Sequence, residues 1–264
     1  MATLNSLRPA ISGLIRNPIL LVITGLYTLL QIPQLVLQSQ SPLISALVSL
    51  LMTGVLLVLL PFYQGGLIGM ANEALAGHTQ IRSFIQAGKS NYISLLLSYL
   101  VILAVNILFG IAGFVLFFAG GLGFVIGNGQ PSTAVIAIIG ILGLLIVVAY
   151  LLIVISIQFY AHAIVLSDTK IIEGFKYSVK LVRQNLFSVA GYSVIMFFGG
   201  ALIGLLGGVS SILFSPQPAL GTALPDISLP LVILILAISL ILTAIFGAFY
   251  GVYSVAFYQK INPD

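Results

Sequence analysis

Six apolar stretches, at about 18–37, 43–63, 92–118, 134–160, 186–214 and 229–258, dominate the chain, and none of them contains a charged side chain. About 20 helical residues cross the ~30 Å of hydrocarbon in a bilayer, so each stretch is long enough to span. Strands of a transmembrane barrel would alternate in polarity over about ten residues, whereas these runs are unbroken. Only 5% of the 264 residues are charged, against roughly 25% in a soluble domain. The expected class is an all-α, polytopic transmembrane bundle of six helices, forming a single integral membrane domain over residues 1–264. Seventeen residues precede the first stretch and no small-residue cleavage site follows it, so it reads as a span rather than a signal peptide. Turn chemistry separates the stretches at 38–42, 120–131 and 215–230.

The distribution of charge then orients the bundle. Every Lys and Arg (Arg8, Arg16, Arg82, Lys89, Lys170, Lys176, Lys180, Arg183 and Lys260) precedes the first span or follows the second, fourth or sixth. The loops between have Asp226 as their sole charge. The positive-inside rule makes the basic face cytoplasmic, with both termini inside and the protein multi-pass in the cell membrane. The net charge of +4 reads as attraction to anionic lipid headgroups rather than to nucleic acid.

Residues 168–185 form the clearest local pattern. Lys170, Glu173, Lys176, Lys180 and Arg183 recur at spacings of three and four, opposite Ile171, Ile172, Phe175, Val179 and Val182. This is a basic amphipathic helix entering a span at Leu186, with Ser167 or Asp168 as its cap and Glu173 paired to Lys170 or Lys176. Weaker copies precede two other spans. Ile81, Phe84, Ile85 and Tyr92 accompany Arg82, Gln86 and Lys89, and Leu4, Leu7, Ile11, Leu14 and Ile15 oppose Arg8, Ser12 and Arg16. Each copy ends in an asparagine, Asn17, Asn91 or Asn185. The chain therefore reads as three units, 1–77, 78–167 and 168–264, each an interfacial helix on the cytoplasmic side followed by a hairpin. Two origins stay open for this threefold pattern: internal repetition, or independent anchoring of each span. The second and fourth spans run past Tyr63 and Tyr160 to about Ala76 and Leu166, with Pro61 as a site for a kink and Gly77 as a C-cap.

Little in the sequence carries chemistry. Without cysteine there is no thiol catalysis or thiolate metal site. His78, His162, Glu73 and Glu173 lack metal-ligand spacing, and no histidine lies at mid-membrane to activate a serine at 208–211. Neither a Walker loop nor a dinucleotide fingerprint is present. No catalytic residue, cofactor or metal is expected. Asn106 reads first as an interhelical hydrogen bond. Gln64, Gln158, His162, Tyr63 and Tyr160 are expected to converge as a polar cluster near the cytoplasmic level, or with Asn106 as a path. Gly200, Gly204, Gly208, Gly247, Gly251, Gly65 and Gly69 stand at four-residue spacing and are expected to bring helices together within the chain.

On the segments 62–79, 158–194 and 249–261, the chain resembles an uncharacterised family of archaeal six-span membrane proteins, the haloarchaeal members especially. More loosely it resembles the membrane domain that precedes the catalytic domain of some bacterial glycerophosphodiester phosphodiesterases. The resemblance covers nearly the whole chain and is most specific over 158–192. It implies the fold but no activity.

The functional expectation is a non-catalytic membrane domain that engages lipid headgroups or a protein partner, a second copy of the chain included, and organises the bilayer. Arg16, Asn17, Lys89, Asn91, Lys170, Lys176, Lys180, Arg183 and Asn185 are the candidate headgroup contacts. The alternative is a permease for a small or amphiphilic substrate.

Overall fold

A computed structural model describes residues 2–30, 32, 42–126, 132–213 and 229–262. Among these residues the chain forms α1 (Ala2–Asn5), α2 (Leu7–Arg16), α3 (Ile19–Leu29), α4 (Pro42–Ala76), α5 (Ile81–Ile126), α6 (Thr133–Ile157), α7 (Tyr160–Leu166), α8 (Ile171–Gln184), α9 (Leu186–Leu213) and α10 (Leu229–Ile261), with no strand. Five segments are long and apolar enough to cross a membrane: α4, α5, α6 with α7, α9 and α10. The α1–α2 segment and α3 meet at 86°, and counted as one bent pair they bring the number to six. The all-α membrane bundle expected from the apolar stretches is the observed fold. The expected end of the first span near residue 37, and the turns at 38–41, 127–131 and 214–228, lie outside the described residues.

One expected break does not begin where the glycines stand. Gly120 and Gly121 lie inside α5, which runs 46 residues from Ile81 to Ile126. At ~1.5 Å per residue that is about 69 Å, more than twice the hydrocarbon thickness. The expected interfacial helix before Tyr92 is therefore continuous with the span, since no turn interrupts the helix at Asn91. Amphipathic helices separate from the spans are found at two places among the described residues, α1–α2 and α8.

The helices converge at the end that carries the basic residues, called here the basic end. There α4 and α5 fold back on each other through the short turn after Ala76 and pack backbone to backbone. A Cβ on Gly66 would stand 2.5 Å from the Phe84 ring and 2.8 Å from the Phe84 carbonyl oxygen, and one on Gly69 would stand 2.3 Å from Cβ of Ala87. Gly77 follows α4, and its N–H closes on the Glu73 carbonyl. Around this hairpin lies an aromatic core of Phe159, Tyr192, Tyr253, Phe257 and Tyr258, all buried. Tyr192 stacks on Phe257 with centroids 4.4 Å apart.

The fourth span is broken where the core needs it. Between α6 and α7, Gln158 and Phe159 leave the helix. A broken helix in a membrane protein must re-pair its backbone groups within the protein, and Ser178 of α8 does this. Its buried hydroxyl donates to the Ser156 carbonyl (2.9 Å) and accepts the Phe159 N–H (3.0 Å).

Both amphipathic helices bury a stripe of small residues beside their apolar side chains, of which Leu7, Leu14, Phe175 and Val182 also reach the core. In α1–α2 the buried stripe is Thr3, Ser6, Ala10 and Gly13, with Asn17 at its end, whereas Leu4, Ile11 and Ile15 are exposed, Ile15 at 74%. In α8 the buried positions are Gly174, Ser178, Leu181 and Val182, and Ile172 is exposed. Small residues let these helices lie close against their neighbours, while apolar side chains lose nothing by facing lipid. Ser6 donates to the Ala256 carbonyl (3.3 Å) and Thr3 to the Ser188 carbonyl (2.8 Å), which ties the N-terminal strap across α9 and α10.

The start of α8 also differs from expectation. Its N-cap is Lys170, whose N–H meets Glu173 Oε2 at 3.4 Å, so the Glu173 carboxylate serves the helix end. Asp168 instead takes a left-handed conformation (φ 48°) that turns the chain out of α7. Ser167 exchanges a hydrogen bond with the Tyr258 hydroxyl (2.9 Å).

Candidate functional site

Two features of the basic end have the makings of a site: a collar of cations on its surface and a cavity beneath. All nine Lys and Arg side chains are exposed. Those of α8 (Lys176, Lys180 and Arg183) follow one another on the exposed face, next to Ile172 and, past the helix end, to Phe187, which is 97% exposed. On α2, Arg8 and Arg16 flank a surface groove of about 510 Å³ whose apolar wall is Leu4, Leu7, Ile11 and Ile15. Cations set beside outward apolar side chains form the arrangement that lies in a headgroup layer.

The three asparagines have another use. Asn17 is 3% exposed, and its Nδ2 donates to the carbonyls of Gly13 (2.9 Å), Ala74 (3.5 Å) and Gly77 (3.0 Å) while its Oδ1 accepts the Thr79 N–H (2.9 Å). It caps α2 and holds the end of α4 in the same stroke, which leaves no group for a phosphate. Asn185 repeats the arrangement at the end of α8, with Nδ2 on the Leu181 (3.1 Å) and Ile261 (3.4 Å) carbonyls. Asn91, inside the unbroken α5, donates to the Ala87 carbonyl (3.1 Å) and to Ser90 Oγ (3.1 Å). A helix that ends against another helix leaves carbonyls needing donors, and a short amide supplies them. Asn17 and Asn185 thus serve as backbone staples, whereas Asn91 bonds only within its own helix and is partly exposed.

The cavity has a volume of about 320 Å³ and lies between α4, the α6–α7 break, α9 and α10. Its polar lining consists of Gln64, Gln158, His162, Tyr192, Tyr250 and Ser254. Ser254 donates its hydroxyl proton to the Gly251 carbonyl (2.9 Å), and His162 Nε2 stands 3.0 Å from Ser254 Oγ. Either His162 Nε2 or the Ser254 hydroxyl can donate in that contact, according to the histidine tautomer. His162 Nδ1 and Gln158 Nε2 are buried with no hydrogen-bond partner. Ser193 reaches Gln158 only on its oxygen side (3.4 Å).

A family model described as "Domain of unknown function (DUF7847)" matches residues 1–261. The chain belongs to this family. No curated protein and no solved structure matches it. The DUF7847 match runs from the N-terminal strap to the end of α10, so the collar and the cavity both lie within the family's domain.

Of the residues expected to converge in this DUF7847 domain, Gln64, Gln158 and His162 line the cavity. Tyr160 stands at its margin, donating to Gln64 Oε1 (3.4 Å). Tyr63 is elsewhere, stacked on Tyr27 with centroids 4.1 Å apart. Asn106 is also elsewhere: its Oδ1 accepts the Tyr150 hydroxyl (2.8 Å) between α5 and α6, and it does not line the cavity. Glu73 accepts the Thr79 hydroxyl (2.7 Å), and His78 is exposed. Among the described residues no group of three or more His, Cys, Asp or Glu is placed to hold a metal. Sequence reasoning missed Ser178, Ser254 and Tyr192. The signal available for Ser178 was its four-residue spacing from Gly174, a small-residue stripe on a helix read only for its charged and apolar sides.

The glycine expectation divides. A Cβ on Gly65, Gly69 or Gly251 would stand 2.9 Å or less from a neighbouring side chain, and one on Gly247 would make ordinary contact with Thr24. Around Gly200, Gly204 and Gly208 a Cβ would meet nothing within 4 Å among the described residues, so the close packing expected there is not seen among them.

Proposed function

We propose that this DUF7847 protein is a non-catalytic membrane domain that engages anionic lipid headgroups at its basic, cytoplasmic face. The observation that carries this reading is the packing of α1–α2 through its stripe of small residues. Its small residues are spent on the protein, so Leu4, Ile11 and Ile15 are left to face the bilayer beside Arg8 and Arg16. Lys170, Lys176, Lys180 and Arg183 on α8, with Arg16 and Lys89, extend the positive field around the same end. The resemblance to a membrane domain that elsewhere precedes a catalytic one fits a role of anchoring or organising, either alone or with a protein partner.

The test uses the full chain in bilayers of mixed phosphatidylcholine and phosphatidylglycerol. Spin-labelled lipids report which headgroup is enriched in the first shell. Each basic residue near the surface contributes about 1 kcal/mol to attraction of anionic lipid, so replacing Lys170, Lys176 and Lys180 by Gln lowers phosphatidylglycerol enrichment, and high salt lowers it in the native chain. Equal selectivity for native and triple variant at low salt would sink the proposal.

A second reading, a permease for a small or amphiphilic substrate, is favoured by the cavity at the broken fourth span, since transporters place their sites at discontinuous helices. Engineered cysteines along α5 and α6 separate the two. Labelling by a membrane-impermeant thiol reagent deep in these helices supports a water-filled path, and uniform protection supports the anchoring domain.

A further inference from the structure

The face of α2 turned away from its buried stripe is divided lengthwise. Arg8, Ser12 and Arg16 form one row at four-residue steps, and Leu7, Ile11 and Ile15 form the row beside it. Both rows, with Leu4 ahead of them, wall a single groove of about 510 Å³. The α1–α2 segment meets α3 at 86°, so where α3 crosses the bilayer α2 runs along its surface. No Asp or Glu lines the groove, which leaves the two guanidinium groups without a counter-charge inside it. Arg8 and Arg16 lie ~12 Å apart along the helix axis, with Ser12 ~6 Å from each. The three-methylene arginine stem covers that shorter distance, so both side chains can reach one phosphate held over Ser12. A guanidinium fork matches two phosphate oxygens at once, and the Ser12 hydroxyl supplies a further donor. A free phosphate would use the cationic row and leave Leu4, Ile11 and Ile15 as exposed as they are now. An uncharged lipid would use the apolar row alone, and a choline headgroup would set its own cation against the arginines. A glycerophospholipid of net negative charge covers both rows, its phosphate on one and its glycerol and upper acyl chain on the other.

From these observations we propose that the groove formed by Arg8, Ser12 and Arg16 with the wall of Leu4, Ile11 and Ile15 is a discrete site for one anionic glycerophospholipid, its phosphate held between the two arginines. The proposal rests on the reading of the basic end as a headgroup-facing surface and narrows it to one place. The cations of α8 attract anionic lipid at large, whereas α2 holds a single molecule, so the two claims fail separately.

The chain has no tryptophan, so Ile15→Trp places a single fluorophore on the groove wall, and Phe197→Trp places one at an exposed position of α9 as a control. The full-length protein is reconstituted at low salt in phosphatidylcholine with increasing brominated phosphatidylglycerol. Quenching, normalised to that by brominated phosphatidylcholine at the same position, gives the local preference for phosphatidylglycerol. Each arginine contributes about fivefold, so the preference expected at Ile15→Trp is about 25, falling to about 5 with Arg8→Gln or Arg16→Gln and to about 1 with both. Ser12→Asp, which sets a carboxylate between intact arginines, lowers it in the same way. Phe197→Trp shows a preference near unity throughout. Replacing Lys170, Lys176 and Lys180 by Gln leaves the preference at Ile15→Trp unchanged. A preference near unity at Ile15→Trp, with phosphatidylglycerol still enriched around the protein as a whole, removes the site and leaves the wider headgroup reading. The proposal is also overturned by equal preferences at the two reporter positions, or by one that survives both arginine substitutions and Ser12→Asp. A loss with the three lysine substitutions as large as with the two arginines overturns it too, as does release of the quencher by millimolar inorganic phosphate, which marks a free-anion site.

Discussion

The two halves of this bundle are built from nearly the same apolar alphabet and packed in different ways. At the basic end α4 and α5 touch through Gly66 and Gly69, Ser178 mends the broken fourth span, and Asn17 pins two helix ends together. In the far half the same helices present Leu43, Leu47, Leu50, Leu51 and Val55 on several sides of α4, and Leu108, Phe114 and Phe117 on α5. A Cβ added at Gly54, Gly110 or Gly204 would meet no neighbour. Lipid tails are as apolar as leucine, so burying leucine against leucine in a membrane yields little. What draws helices together there is close approach and the pairing of backbone groups that water cannot reach.

This contrast can be broken by substitution, each effect measured as unfolding free energy of the full chain in micelles. The largest loss is expected for Asn17→Ala, about 3 kcal/mol, because it strands the Gly77 carbonyl and the Thr79 N–H at once. Next comes Gly66→Ala at about 2 kcal/mol from overpacking against the Phe84 backbone, while Gly204→Ala in the far half costs nothing. Ser178→Ala should cost about 1.5 kcal/mol by leaving the Phe159 N–H unpaired. It should also raise amide exchange at Phe159 and Tyr160, which a general loosening of α8 would not confine to those sites. Asn106→Leu, which removes the Tyr150 hydrogen bond in the far half, is expected to cost least, about 0.6 kcal/mol. A loss at Asn106 equal to that at Asn17, or a penalty at Gly204 equal to that at Gly66, would show that both halves are held by the same means.

Much of the bundle was legible before any coordinates. The apolar stretches predicted the spans, and the amphipathic pattern at 168–185 located α8. The candidate site was legible in part: Gln64, Gln158 and His162 do meet, whereas Asn106 and Tyr63 stay apart. The residues missed were small hydroxyls and aromatics whose partners lie far along the chain, such as Ser254, which meets His162 across 92 positions. Asn17 and Asn185 were seen and misread. A polar residue at a helix end beside basic side chains suits a phosphate and a backbone carbonyl equally well in sequence, and only the arrival of α4 and α10 decides between them.

The sequence by itself determined the class, the approximate spans and the gathering of every cation at one end. These follow from the cost of placing charge and unpaired backbone in hydrocarbon, and that cost is a property of residues taken one at a time. Tertiary structure alone decided which face of α2 and α8 turns inward, that α5 continues through Asn91 and Gly120, and that α6 breaks at Gln158. Those outcomes depend on which small side chain and which unpaired carbonyl come within reach of each other. In a solvent as apolar as the side chains themselves, the hydrophobic pattern does not encode that choice.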